Sequence, residues 1–243
     1  MLCDRVKFIA IPLRSPFDCP VRTKLAFLLL LSSLALCPEV PAQNGAWQAL
    51  FDGKTLEGWQ LFNGKPIPKG WDVADGWLHG QGKNGGDILS AGQFEQFELE
   101  WEWKIAPKGN SGLKYFVPDS RKEALGHEYQ MLDESDAASA HPDKHTTASF
   151  YDVLPPKPGL PLKPAGEINQ SRVRVAANHV EHWLNGVKVL EYDCNSEAVK
   201  NAVAASKFKT TPGFGTQMRG HILLQDHGSE VWFRNIRLRV ITP

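Results

Sequence analysis

The stretch Phe97-Glu98-Leu99-Glu100-Trp101-Glu102-Trp103-Lys104-Ile105 decides the fold class of this chain. Apolar and charged side chains alternate along it without a fault, which is the period of a β-strand with one buried face. Antiparallel sheets commonly have one face on the core and one face in water. The stretch therefore predicts a long antiparallel strand whose aromatic and aliphatic side chains lie in the core.

Several other segments predict short strands. Asn185-Gly186 lies between two apolar runs, and this pair favours a two-residue hairpin turn because both residues tolerate positive φ. Further strands are predicted at residues 172–175, 187–192, 221–225 and 231–241. One helix is predicted at 196–208, and Pro-rich loops at 64–70 and 154–166. The pattern predicts an all-β sandwich that forms one domain over residues 43–243.

Charge and cysteine content exclude several functional classes. The chain has 27 Lys and Arg residues and 27 Asp and Glu residues, so it lacks the basic surplus that nucleic acid or an anionic membrane usually demands. The sequence has no Gly-rich phosphate loop, no Gly-x-Ser-x-Gly elbow and no zinc-spaced Cys or His cluster. Cys194 is the one cysteine beyond residue 42, so the mature domain is expected to have no internal disulfide and to bury Cys194 as an apolar filler.

The first 42 residues are interpreted as an export signal. Arg22 and Lys24 precede an apolar run at 25–37 that is short for a membrane span, and Val40-Pro41-Ala42 fits a small-residue cleavage site. We therefore expect an exported protein, periplasmic or secreted, with no transmembrane span. Lipid attachment at Cys37 is the weaker alternative, because Leu36 fits the small-residue rule poorly.

Strand parity predicts one polar sheet face. Successive side chains of a strand point to opposite sides of its sheet. In the three predicted strands that carry polar candidates, the apolar positions face the core, and the positions between them therefore point away from it. The opposite positions are Lys114, Glu128, Gln130, Gln225 and His227. If these strands are neighbours, an acid, a base and amides converge there, as sugar binding and acid–base catalysis require. The alternative is an ordinary solvated sheet face with no function.

Other candidates are less well defined. Asn110 shares the parity of Lys114 and is a candidate substrate contact. Asp226 is a candidate substrate-binding residue that either orients His227 or bonds to a turn. His182 is either a residue at the edge of a sheet or a substrate contact. His141 and His145 are four residues apart, but Pro142 disfavours a helix between them, so a loop is favoured over a metal site.

The chain resembles the family of 3-keto-disaccharide hydrolases, which are also described as 3-keto-glucoside lyases and hydratases. The similar motifs occur in family order over residues 47–241. They are Leu50-Phe51-Asp52-Gly53-Lys54-Thr55-Leu56-Glu57-Gly58-Trp59, Trp71-Asp72-Val73-Ala74-Asp75-Gly76-Trp77-Leu78, Gly109-Asn110-Ser111-Gly112-Leu113, Glu128-Tyr129-Gln130-Met131-Leu132-Asp133, His182-Trp183-Leu184-Asn185-Gly186, Gly220-His221-Ile222-Leu223-Leu224-Gln225-Asp226-His227-Gly228 and Phe233-Arg234-Asn235-Ile236.

The resemblance implies a concanavalin-like jelly roll, two curved antiparallel sheets with a groove. It also implies a secreted or periplasmic enzyme whose glycoside or oligosaccharide substrate has been oxidised at C3 by a separate sugar 3-dehydrogenase. Glu128, Gln130, Gln225 and His227 match family motif positions. Because jelly rolls also serve as lectins, a non-catalytic carbohydrate-binding module is the main alternative, and a structural envelope protein is another.

The implied chemistry fits the residues of the polar face. A C3 ketone acidifies the C2 proton, so elimination needs one base, a group that stabilises the enolate and an acid for the leaving oxygen. The candidate base is Glu128 or His227. The candidate group that stabilises the enolate is Lys114 or a divalent metal ion, although no metal site is evident in the sequence. A conventional glycosidase needs two carboxyl groups, whereas the predicted face has one.

Overall fold

The computed structural model describes residues 43–62, 64–67, 69–83, 85–134 and 143–242. Residues 40–243 group into one compact unit. The predicted export signal, Cys37 and His141 lie outside the described residues, so those predictions stay untested. Among the described residues, no helix has both the length and the apolar character that a membrane span requires.

The fold is a sandwich of two antiparallel sheets, which confirms the all-β prediction. The larger sheet has the strand order β12-β11-β10-β7-β14-β5-β4, and β1 and β2 also pair with β14. Its strands are β1 (Gln43–Asn44), β2 (Gln48–Ala49), β4 (Trp71–Ala74), β5 (Trp77–Gln81), β7 (Phe97–Ile105), β10 (Asn169–Ala176), β11 (His179–Leu184), β12 (Val187–Asp193) and β14 (Glu230–Thr242).

The smaller sheet has the order β3-β6-β13-β8-β9. Its strands are β3 (Trp59–Leu61), β6 (Ile88–Phe94), β8 (Asn110–Val117), β9 (His127–Leu132) and β13 (Gly220–Leu224). Strands β8 and β9 are neighbours, and β13 lies on the other side of β8. This order brings together the three segments that carry the predicted polar face.

The core lies between the sheets and follows the alternation in β7. Phe97, Leu99, Trp101, Trp103 and Ile105 are all buried, as the period of two predicts. Their charged neighbours point outward and pair with arginines of β10 and β14. The outer face of the larger sheet is thus lined by ion pairs, in which Glu98 is buried while its arginine partners reach solvent.

The hairpin prediction is also confirmed. Asn185 and Gly186 have φ values of 45° and 84° and connect β11 to β12. Two consecutive positive φ values match the twist of the flanking strands, and Asn and Gly adopt them at low cost.

The parity prediction fails at the end of β8. Phe116 is two residues after Lys114 and shares its strand parity, yet it is fully buried and contacts Phe97 and Tyr115 at ring-centroid distances of 5.9 and 5.1 Å. Phe116 has a φ of 59°, and this local reversal turns two consecutive side chains toward the core. Val117 then points to the other face, where it packs on Leu223 instead of in the main core.

The predicted helix is shorter in the structure. Helix α1 runs only over Glu197–Ala204, beginning where the Ser196 side chain accepts a hydrogen bond from the Val199 nitrogen. Turns follow through residue 216, because the Lys207 nitrogen donates to the Asp152 carboxylate at 2.6 Å instead of continuing the helix.

Candidate active site

The candidate site lies on the face of the smaller sheet that points away from the core, which we call the polar face. Its central residues are Lys114, Glu128, Gln130 and Gln225, with Asp87 at its border. Lys114 pairs in register with Glu128, and Gly112 with Gln130. The Gln225 nitrogen donates to the Gly112 carbonyl at 3.0 Å, so Gln225 continues the second of these rows.

Glu128 is buried although it points away from the core, with 7 % of its surface exposed. Burial raises the pKa of its carboxyl group, and the ammonium of Lys114 opposes this rise. A Cβ atom at Gly112 would lie 3.0 Å from the Glu128 Oε1 atom. Glycine at this position therefore makes room for the carboxylate to lie across β8.

Lys114 lies between two carboxylates. Its Nζ atom is 3.8 Å from Glu128 Oε2 and 3.6 Å from Asp87 Oδ2, and it donates to the Ala124 carbonyl at 3.4 Å. Lys114 is only 6 % exposed. An ordinary solvated face does not bury an acid and a base, since removing such charges from water costs several kcal/mol per ion, on the order given for buried pairs.

The sequence reasoning missed Asp87, so the site holds two carboxyl groups instead of the one predicted. Burial raises the pKa of the Asp87 carboxyl group, while Lys114 opposes the rise, and the Asp87 Oδ1 atom accepts a hydrogen bond from the Asp226 nitrogen at 3.0 Å. The only sequence signal is its place after Gly85-Gly86 and before the apolar start of β6. That signal gives no hint that Asp87 faces Lys114, because tertiary pairing brings the two together.

Two amide groups at the site have acceptor oxygens with no donor among the described residues. These atoms are Gln225 Oε1 and Asn110 Oδ1, and both are buried. Gln130, in contrast, is 3 % exposed and its Oε1 atom accepts a hydrogen bond from the Met131 nitrogen at 3.2 Å. The two unpaired carbonyl oxygens suit hydroxyl donors, such as those of a sugar.

His227 lies at the exposed side of the site, close enough for its charge to lower the pKa of Glu128. It follows Asp226, whose carboxylate accepts hydrogen bonds from the Gly86 and Gly228 nitrogens at 3.1 and 3.0 Å. Of the two roles considered for Asp226, the structure therefore shows the turn role.

His182 does not belong to the polar face, which corrects the prediction that it contacts substrate. It is fully buried between the sheets, where its Nε2 atom bonds to the Tyr115 hydroxyl at 2.7 Å and its Nδ1 atom to the Ala148 carbonyl at 2.8 Å. Burial lowers the pKa of His182 to about 4. The reason is strand parity, because His182 shares the inward side of β11 with Val180 and Leu184.

Tyr151 and Lys207 form a rim beside Glu128 that the sequence did not indicate. The Tyr151 nitrogen donates to the Glu128 carbonyl at 3.1 Å. The Lys207 Nζ atom lies 4.3 Å from the centre of the Tyr151 ring, and its charge also lowers the pKa of Glu128. Asp152 joins the two segments through its bond from the Lys207 nitrogen.

Within the described residues, one group of three side chains has atoms close enough to share a metal ion: His179, Glu181 and Glu191. The Lys188 ammonium lies 3.2 Å from the Glu181 carboxylate and 2.6 Å from the Glu191 carboxylate. This ammonium already compensates the two acids, so the group fits an ion-pair network better than a metal site. At the polar face, the Lys114 ammonium lies between the carboxylates of Glu128 and Asp87, as the Lys188 ammonium does between Glu181 and Glu191.

The fold and site define a class: a jelly-roll sandwich that holds an acid, a lysine and amides on the outward face of its smaller sheet. Residues 46–239 match the 3-keto-alpha-glucoside-1,2-lyase-like domain. The chain belongs to this family, which confirms the resemblance seen in the sequence.

Individual proteins agree with this assignment. A 3-keto-disaccharide hydrolase of Bacteroides thetaiotaomicron is 34% identical over 236 residues, covering 84% of this chain and 81% of that protein. The crystal structure of a candidate glycosyl hydrolase from Parabacteroides distasonis has 30% identity and a TM-score of 0.69, covering 82% of this chain and 99% of the other. A Bacillus subtilis protein with a galectin-like fold shares the fold alone, with 12% identity, a TM-score of 0.50 and coverage of 83% and 99%.

Proposed function

We propose that this protein cleaves 3-keto-glycosides by elimination across C1 and C2, followed by addition of water. The observation that carries the proposal is the buried group of Glu128, Lys114 and Asp87 on an outward sheet face, in a chain of this family. The 34% identical relative, a 3-keto-disaccharide hydrolase, supports the choice of substrate class.

The first step needs a base whose pKa lies near the working pH. Burial raises the pKa of Glu128 from the ordinary range of a carboxyl group, which makes its carboxylate a stronger base toward the C2 proton. The proton moves to Glu128 while the electron pair of the C2–H bond moves toward C3, giving an enolate on the C3 oxygen. The Lys114 ammonium, beside Glu128, stabilises this negative charge.

The second step breaks the C1–O bond. The enolate returns to a ketone as a double bond forms between C1 and C2, and the leaving oxygen takes a proton. His227, at the exposed side of the site, is the group we assign to this proton transfer. Water then adds its hydroxyl to C1 and a proton returns to C2, so the net reaction is hydrolysis.

Substrate orientation is assigned to the amides. Gln225 and Asn110 offer acceptor oxygens without protein donors, and hydroxyl groups of the sugar would satisfy them. The substrate needs a ketone at C3, so a separate sugar 3-dehydrogenase must act before this enzyme. Export to the periplasm or the medium is part of the proposal, and N-terminal sequencing of the mature protein would test cleavage after Ala42.

The decisive experiment is an assay of a 3-keto-glucoside and its unoxidised counterpart in heavy water, with and without added divalent metal. We expect release from the keto substrate only, with one deuterium at C2 of the released sugar above the level of a control that receives product instead of substrate. Release without deuterium would overturn the elimination. Release from the unoxidised glucoside would indicate a conventional glycosidase. Binding without release would indicate a carbohydrate-binding module.

A further inference from the structure

A pocket with a volume of about 760 Å³ lies beside the polar face. It is formed by residues 118–125 on one side and 207–217 on the other. Glu128 and Lys114 do not line it. Ligand sites in proteins commonly have volumes of ~300–1,000 Å³, so the pocket is large enough for a sugar or an aryl group.

One charge effect and one hydrogen bond connect the pocket to the candidate catalytic group. Lys207 lines the pocket, and its charge acts on the Glu128 carboxylate. Leu125 also lines the pocket, and the preceding carbonyl of Ala124 accepts the hydrogen bond from Lys114 Nζ. A glycoside whose oxidised ring lies at Glu128 would therefore extend its leaving group into this pocket.

The pocket carries a surplus of positive charge. Arg121, Lys122 and Lys207 line it, against the single carboxylate of Glu123. The ion pairs of the described residues include none of these three cations. In contrast, the cations Arg172, Arg234, Arg237 and Arg239 on the outer face of the larger sheet all pair with glutamates.

Arg121 shows this imbalance most clearly. Its guanidinium donates to the Leu125 and Pro212 carbonyls at 2.6 and 3.2 Å, and its Nε atom is buried with no partner among the described residues. The guanidinium carbon also lies 5.6 Å from the centre of the Phe214 ring, so the partners of this partly buried cation are two carbonyl oxygens and an aromatic face, and none of them carries a neutralising charge. An anionic ligand group would supply the missing charge, and the planar guanidinium suits a carboxylate, sulfate or phosphate.

We propose that the 118–125/207–217 pocket binds the leaving group of the substrate and selects leaving groups that carry a negative charge. The inference rests on the proposed function for its placement of the oxidised ring at Glu128. It adds a substrate class, the acidic glycosides, and names Arg121, Lys122 and Lys207 as the residues that select it. Ser120, Thr210 and Thr211 in the same lining supply neutral hydrogen-bonding groups for the rest of the leaving group.

The test compares two 3-keto-glucosides of nearly equal shape, one with a 4-carboxyphenyl and one with a 4-carbamoylphenyl leaving group. The quantity measured is the ratio of their kcat/KM values. The two leaving groups differ in acidity, which affects this ratio equally in wild type and in a variant. The test therefore compares the ratio in wild type with the ratio in the variant. A 4-sulfophenyl substrate distinguishes sulfate-like from carboxylate groups.

Lys122→Glu is the variant of choice, because Lys122 is exposed and is not among the charged groups that act on the Glu128 carboxylate. We expect the ratio of carboxylate to amide substrate to fall roughly tenfold in Lys122→Glu, since one attractive pair becomes a repulsive one. The same ratio in wild type should fall with added salt. Lys54→Glu, an exposed lysine outside the pocket, is the matched control and should keep the ratio within about twofold.

An unchanged ratio in Lys122→Glu, with both substrates cleaved, would overturn the inference and leave the proposed function intact. If wild type cleaves neither substrate, the proposed function fails, and calorimetry with 4-carboxyphenyl and 4-carbamoylphenyl glucoside tests the pocket directly. Preferential binding of the carboxylate ligand that is lost in Lys122→Glu supports selection of negatively charged groups by the pocket. Equal binding of both glucosides overturns it.

Discussion

The two faces of β9 are equally buried and differ in their partners. His127 and Tyr129 point into the core and are 1 % and 0 % exposed, and Glu128 and Gln130 point to the polar face and are 7 % and 3 % exposed. On the inner face the titratable groups meet neutral hydroxyls and rings. On the outer face Glu128 meets the ammonium of Lys114. Burial alone therefore does not mark a catalytic group, and a charged partner does not mark one either, since Glu98 is buried beside Arg172 and Arg239. Glu128 differs because its cation, Lys114, is buried with it, whereas both arginines reach solvent.

The inner face carries a directed chain of hydrogen bonds. The Ala148 carbonyl can only accept, so His182 donates from Nδ1 and its Nε2 atom accepts from the Tyr115 hydroxyl. Tyr115 then accepts from Tyr192, which accepts from His127 Nδ1 at 3.0 Å. These directions follow because both histidines are neutral at neutral pH, since burial lowers the pKa of His127 to about 3 and of His182 to about 4. This network orders the core and offers no group to a substrate.

Glu128→Gln should give the largest effect and should act on the outer face alone. We expect turnover of a 3-keto-glucoside to fall ~10²–10⁴-fold, because a general base is lost while side-chain volume is kept. The melting temperature should stay within about 3 °C of wild type. Tyr129→Ala is the inner-face control and should lose ~3–5 kcal/mol of stability. Near-normal turnover by Glu128→Gln would remove Glu128 from the mechanism.

Acid should destabilise the inner face. The pKa of His127 and of His182 falls from 6.5 in the unfolded chain to about 3 and about 4 in the folded protein. The unfolded state therefore binds more protons below pH 6.5, and each histidine should reduce the free energy of unfolding by about 1.4 kcal/mol per pH unit as the pH falls toward 4. Urea titrations at several pH values measure this slope.

Glu128 should contribute to this pH dependence with the opposite sign. Its folded pKa is raised above 4.5, so the folded state holds the extra proton and the Glu128 contribution to stability falls as the pH rises above 4.5. Comparison of His127→Phe with Glu128→Gln separates the histidine contribution to the pH dependence of stability from the glutamate contribution. His127→Phe should flatten the acid slope, and the same slope in that variant as in wild type would contradict the assignment to the buried histidine.

His227→Ala tests the proton donor. We expect a loss of ~10²-fold in turnover when the leaving group is a sugar, because a poor leaving oxygen needs an acid. A nitrophenyl leaving group needs little help from an acid, so the loss of turnover should then be only a few-fold, which corresponds to ~1 kcal/mol of activation free energy. Equal losses on both substrates, measured by kcat, would show that His227 does not protonate the leaving oxygen.

Tyr115→Phe should give the smallest effect and should act on the inner face alone. The change leaves His182 Nε2 without its donor, which should cost ~1–3 kcal/mol of stability. Turnover per folded molecule should be unchanged, since Tyr115 lies in the core and has no contact with the polar face. Thermal unfolding monitored by circular dichroism measures the loss, and a drop in kcat larger than the loss of folded protein would connect the two faces.

The sequence by itself determined that the fold is built of strands and which sides of β7 and β9 face the core. The alternation in β7, the Asn185-Gly186 turn and the parity of Glu128 and Gln130 are local properties of the chain, because a strand has a fixed period of two. Local rules failed where the backbone departs from that period, as at Phe116 with its φ of 59°. They also left the role of His182 open, although its side of β11 follows the same parity.

Only the tertiary structure decided which charges meet. Asp87 precedes β6, Lys114 lies in β8 and Lys207 follows α1, and sheet order and loop packing bring all three close to Glu128. No local period encodes such distances, because pairing between strands far apart in the chain depends on the packing of the whole core. The buried acid, its lysine and the cationic pocket beside them are therefore properties of the fold, built from residue types that the sequence alone could only show as separate candidates.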